Sequence, residues 1–77
     1  MHELRVVAVI PAYQEASRIA NVVRDALRFV PRVIVVDDGS TDGTAEAARG
    51  AGAMVVHHLE NSGPGAATMT GIEAARA

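Results

Sequence analysis

The residues able to do chemistry fall in two short polar stretches, each following an apolar run. The first is Pro11-Ala12-Tyr13-Gln14-Glu15, after Val6–Ile10. The second is Asp37-Asp38-Gly39-Ser40-Thr41-Asp42-Gly43, after Val33–Val36. Adjacent carboxylates repel one another, and successive side chains of a strand diverge. One of Asp37 and Asp38 is therefore expected to cap turn amides while the other faces outward. An outward carboxylate accepts hydrogen bonds and so suits the amino or imide edge of a nucleobase. Gly39 permits positive φ or close backbone approach. The same Asp-Gly-Ser-Thr-Asp-Gly run is also good turn material. Tyr13, the single tyrosine, offers a ring to stack on a base or sugar, or to plug a half-buried hollow. Glu15 could receive a ribose hydroxyl, and it equally suits the first turn of the next helix, where the dipole favours an acid.

A third stretch, Asn61-Ser62-Gly63-Pro64-Gly65-Ala66, places glycines at a helix start. Free amides there can hold a pyrophosphate, with Gly63 and Gly65 the phosphate-proximal candidates. His57 and His58 lack a third ligand at metal spacing and read as the end of a strand. Three lookalike motifs fail. A calcium loop begun at Asp38 would need a bidentate Glu at its twelfth position, which is Arg49. Ser40-Thr41-Asp42-Gly43-Thr44 has Ser at the place of an aspartyl-phosphatase nucleophile. No G-x-G-x-x-G follows the first apolar run, so a dinucleotide fold would lack its phosphate turn.

The elements that must position these loops follow from periodicity. Leu4–Ile10 includes Val6–Ile10, a continuous apolar run stopped by Pro11, as expected of a strand covered on both faces of a parallel sheet, with 11–16 a loop. Ser17 is a candidate N-cap. Apolar positions Ile19, Val22, Val23, Ala26, Leu27 and Val30 define an amphipathic helix ended by Pro31. Val33–Val36 is a second strand. A short helix over 45–49, capped by Asp42 or Thr44, closes at Gly50 or Gly52. Ala53–His57 is a third strand, and Pro64 opens a last helix. The order β-α-β-α-β-α with short connections predicts right-handed crossovers and a three-layer α/β fold with a parallel sheet. In such sheets ligands sit beyond the carboxyl ends of the strands, so the first two loops should share one rim.

Composition narrows the function. The chain has 77 residues, 49% of them apolar, one Phe, no Trp and no Cys, with a net charge of −2. The core must be aliphatic, and at this size only roughly 60% of the unfolded surface is buried on folding. A disulfide framework and thiolate metal sites are excluded. The absence of a basic stripe argues against nucleic acid. The apolar run before Pro11 is too short for a signal-peptide core or a membrane span.

Taken in order, Val9-Ile10-Pro11-Ala12-Tyr13-Gln14-Glu15, then Val33–Thr44 with its Asp-Asp-Gly-Ser-Thr-Asp-Gly core, then Asn61–Ala67 with Gly71, the chain resembles family-2 glycosyltransferases. It is most similar to the dolichol- or polyprenyl-phosphate mannosyl- and glucosyltransferase branch. The resemblance implies the Rossmann-like, nucleotide-binding half of a GT-A fold, spanning 1–77 as a single partial domain. It implies that Pro11, Tyr13 and Glu15 line the nucleotide pocket, that Asp38 contacts base or ribose, and that Val36 packs nearby. The implied reaction is inverting transfer of a hexose from a GDP- or UDP-sugar to an acceptor such as a polyprenyl phosphate. Mg²⁺ or Mn²⁺ would neutralise the leaving diphosphate. The setting would be cytoplasmic, or the cytoplasmic face of a membrane for a longer parent chain. Two departures matter. Pro64 stands where the family commonly has Lys, and the Asp-x-Asp metal motif and catalytic base would lie beyond Ala77. The chain therefore reads as the N-terminal, donor-binding portion of such an enzyme, truncated, inactive and without a metal by itself. A nucleotidyltransferase would need a Gly- and Arg/Lys-rich loop after the first strand, which is absent. The other alternative is a non-catalytic α/β module that self-associates through its sheet edges.

Overall fold

The computed structural model describes residues 6–76. The elements run β1 (Val7–Ala12), α1 (Ile19–Leu27), β2 (Arg32–Asp38), α2 (Thr44–Gly50), β3 (Met54–His58) and α3 (Pro64–Arg76). All strand pairing is parallel, in the spatial order β1-β2-β3. The expected β-α-β-α-β-α sheet is the one observed. Leu4 and Arg5, placed in the first strand on sequence grounds, lie outside the described residues.

The central strand is the least accessible part of the molecule. Ile34, Val35 and Val36 are fully buried, because β2 is flanked by strands on both edges and helices on both faces. Alternation divides the core in two. Val33 and Val35 join Ala12, Ile19, Val23, Ala48 and Ala53 beneath α1 and α2. Ile34 and Val36 join Val7, Val9 and Ala67 beneath α3. Alanine and glycine on α3 allow it to lie close against the sheet, and Gly71 is buried there.

Several boundaries differ from expectation. β1 continues through Pro11 to Ala12, pairing Pro11 with Val36 and Ala12 with Asp37. β1 is an edge strand, and an edge tolerates proline because one side of its ladder has no partner to supply. β2 carries both aspartates inside the strand instead of in the following loop. Ser17 is not a cap: the N-cap is Arg18, and the Glu15 carbonyl accepts the Arg18 and Ile19 amides at 2.9 and 2.8 Å. α1 stops at Leu27, short of Val30. α2 begins at Thr44, and its N-cap is Gly43 in the left-handed conformation instead of Asp42 or Thr44, while the Asp42 carboxylate accepts the Thr44 amide at 3.1 Å.

Candidate functional site

The carboxyl ends of the three strands form one rim, and the loops leaving it are knitted together by their own polar groups. Gln14 sits at φ +53, a conformation few non-glycine residues adopt, and the loop after β2 holds it there. The Gln14 amide donates to Ser40 Oγ at 2.8 Å, Nε2 donates to Thr41 Oγ1 at 3.2 Å, and Oε1 accepts the Thr41 amide at 2.8 Å. The Glu15 amide donates to Thr44 Oγ1 at 3.0 Å and the Ala16 amide to Asp42 Oδ2 at 3.1 Å. Ser40, Thr41, Asp42 and Thr44 thus act chiefly as scaffold, satisfying backbone donors of the neighbouring loop that would otherwise be left without partners.

Asp37 and Asp38 separate as strand geometry requires. Asp37, fully buried on the α1/α2 face, accepts the Ser40 amide on Oδ1 at 3.1 Å and faces His57 Nδ1 from Oδ2 at 2.9 Å. Asp38, 4% exposed, lies on the α3 face. Its Oδ1 accepts the Ser62 amide and the Ser62 hydroxyl, both at 2.9 Å, and stands 2.8 Å from His58 Nδ1; its Oδ2 accepts the Gly63 amide at 2.8 Å. These donors, the Ser62 amide foremost and then His58, hold the Asp38 carboxyl well below the usual carboxylate range. Asp42 is lowered too, first by the Thr44 hydroxyl.

A carboxylate lowered by native contacts stabilises the fold above its unfolded value, near 4, and that contribution is lost as pH falls toward the depressed native value. The melting temperature is therefore expected to hold from pH 7 to about 5 and to fall progressively below about 4. Asp42→Asn should flatten that acid limb in circular-dichroism melts. A limb of unchanged steepness would show that Asp42 makes no native-specific contact.

Pro11, Tyr13 and Asp38 line one open cleft of about 220 Å³, together with Ala12, Asn61, Pro64 and Ala67. Tyr13 is 50% exposed, leaving much of its ring accessible. Val36 is buried beneath, within the layer that packs on α3. Glu15 is not among the lining residues. Its carboxylate pairs with Arg18 at 2.8 and 2.9 Å while its carbonyl receives the start of α1. Gly63 and Gly65 do not line the cleft either. The Gly63 amide is spent on Asp38 Oδ2, and Gly65 is exposed. None of the lining residues is cationic.

Neither type nor spacing marks His58, Ser62 or Thr70 as a site residue, yet His58 and Ser62 contact Asp38 and Thr70 bonds the far nitrogen of His58. The detectable sign was twinning. Two Asp-Asp and His-His pairs end neighbouring strands, and parallel pairing sets Asp37 beside His57 and Asp38 beside His58. The described residues do not fit a metal site. Asp37 and Asp38 face opposite sides of the sheet, and no group of three His, Asp or Glu that could hold an ion occurs among the described residues. Also among the described residues, no helix is long and apolar enough to cross a membrane.

Comparison with known proteins agrees with this architecture. The family model described as Glycosyl transferase family 2 matches residues 7–77. Glycosyltransferase AglJ of Haloferax volcanii is 45% identical over 64 residues, covering 82% of this chain and 21% of its own length. Protein RfbJ of Shigella flexneri is 38% identical over 66 residues, covering 83% of this chain and 50% of its own. Among solved structures, mannosyl-3-phosphoglycerate synthase from Rubrobacter xylanophilus superposes with a TM-score of 0.63 at 33% identity, over 70% of this chain and 19% of that one. The chain thus spans half or less of the length of these relatives. With a parallel three-stranded sheet, an Asp-Asp-Gly-Ser loop at its rim and a family match over nearly every residue, this chain belongs to glycosyl transferase family 2.

Proposed function

We propose that this chain is the donor-binding portion of a glycosyltransferase and that the cleft between Tyr13 and Asp38 receives the nucleoside of a nucleotide-sugar. The observation that supports this best is their shared position on one cleft at the carboxyl rim of a parallel sheet, where open α/β sheets bind ligands. The volume, about 220 Å³, is below the roughly 300–1,000 Å³ of a complete small-molecule site, and it suits one part of a larger donor. Charge selects the part. A carboxylate without a neighbouring cation attracts N–H and O–H donors and repels a diphosphate. The base or ribose therefore sits against Asp38, and the phosphates extend outward, away from it.

On this reading the family's metal-dependent transfer to an acceptor, a polyprenyl phosphate among the candidates, belongs to segments of the whole domain outside residues 1–77. The setting is the cytoplasm, where nucleotide-sugars are made. Titration with UDP and GDP, followed by amide chemical shifts, tests the assignment. Saturable shifts at Tyr13, Asp38 and Asn61 are expected with one of them. Tyr13→Ala should weaken that binding about tenfold, since stacking on a base contributes ~1–3 kcal/mol. Shifts clustered away from these residues, or a Tyr13→Ala affinity equal to wild type, would sink it.

A further inference from the structure

Once Asp38 is taken as the polar group that meets the nucleoside, as proposed above, the orientation of its carboxylate becomes the quantity that matters. Two segments some twenty residues away in sequence converge on it, the end of β3 and the loop before α3, and the second turn of α3 holds the far side of His58. His58 joins all three. Its ring, with the side chain 18% exposed, stands between Asp38 Oδ1 at 2.8 Å from Nδ1 and Thr70 Oγ1 at 2.8 Å from Nε2. Ser62 Oγ lies 2.9 Å from the same Nδ1.

The partners select the tautomer. Asp38 Oδ1 can only accept, so Nδ1 carries the proton, and in the neutral ring Nε2 then accepts the Thr70 hydroxyl proton. The Ser62 hydroxyl donates to Oδ1, as its amide does. Oδ1 thereby receives three donors, which exhausts a carboxylate oxygen's two lone pairs. Oδ2 receives only the Gly63 amide and keeps an acceptor direction. We infer that His58 is a positioning residue of the nucleoside cleft: by occupying Oδ1 from β3, it fixes the carboxylate plane of Asp38 and leaves Oδ2 for the ligand. Without His58, the remaining donors to Asp38 are Ser62 and Gly63, neighbours in one loop. A single loop can carry the carboxylate with it as it moves, whereas a strand residue anchored to α3 cannot follow.

The test uses the full chain with His58→Ala, His58→Asn and His58→Gln. Asparagine presents an N–H near the Nδ1 position and keeps the Asp38 contact; glutamine presents one near Nε2 and keeps only the Thr70 side. Two readouts apply: the dissociation constant for UDP or GDP, and the titration midpoint of the Asp38 carboxyl carbon by NMR. His58→Ala and His58→Gln are expected to weaken nucleotide binding about tenfold and to raise the Asp38 midpoint. His58→Asn should restore both to near the wild-type values. If His58→Ala does not fold, the comparison of His58→Asn with His58→Gln decides. Equal affinities and equal midpoints in those two variants overturn the inference. A wild-type chain that binds neither UDP nor GDP overturns the nucleoside assignment instead, and the Asp38 midpoints still decide whether His58 orients the carboxylate.

Discussion

Gly71→Leu is expected to abolish the cooperative thermal transition of this chain. A Cβ at position 71 would lie 2.1 Å from Val9 Cγ1 and 3.1 Å from Val36 Cγ2. Neither neighbour yields cheaply: valine is stiff about χ1, and Val36 is fully buried against the sheet. Overpacking of a tight core costs ~1–3 kcal/mol and occasionally more, and leucine brings three further carbons into the same space. A domain of this size has about 4–12 kcal/mol in total, and an aliphatic, alanine-rich core points to the lower part of that range. Gly71→Ala is the graded version. Helix propensity returns about 1 kcal/mol, the overlap takes more, and a net loss of ~1–2 kcal/mol is expected. Val9→Ala removes the clashing methyl groups, so Gly71→Ala should cost less in that background. Urea denaturation of the four proteins of the cycle measures the coupling. Additive losses would mean that α3 does not rest on β1 at Gly71.

Gly39→Ala is expected to cost ~2–5 kcal/mol and to release the loop before α3, whereas Gly43→Ala should cost only ~1–2 kcal/mol. The two glycines have nearly the same backbone, φ +83 and +88, so the conformational penalty of an L-residue is common to both. They differ in surroundings. A Cβ at Gly39 would stand 2.7 Å from the Asn61 nitrogen and 2.8 Å from the Glu60 carbonyl carbon, and at Gly43 nothing lies within 4 Å. Backbone atoms cannot rotate away, so Gly39→Ala must push residues 60–61 outward and draw the Ser62 and Gly63 amides off Asp38. Chemical denaturation gives the stabilities, and amide shifts of Ser62 and Gly63 report the loop. Equal losses for the two alanines would show that the loops after β2 and β3 do not touch at Gly39.

The contrast between these glycines marks where sequence reasoning ends. The turn signal at Asp37–Gly43 is local, since it depends on backbone preferences of residues close in the chain, and it was legible. The contact between Gly39 and residues 60–61 joins loops about twenty positions apart, and no periodicity encodes it. Glu15 shows the same limit from the other side. Its type suits either a ligand or a helix entry, and the 2.8 Å pair with Arg18 that the structure shows could not be read from its type alone.

Element order, parallel pairing and the burial of Val33–Val36 followed from apolar runs, a 3.6-residue helical period and short connections, because those are properties of the chain read a few residues at a time. The tertiary structure alone decided how the polar groups were shared out. It assigned Ser40, Thr41 and Thr44 to holding the loop of Tyr13, gave Asp37 the Ser40 amide, and brought His58, Ser62 and Gly63 onto Asp38. The physical reason is that a buried carboxylate must find its donors wherever the register of neighbouring strands delivers them. That register is set by the packing of both faces of the sheet at once.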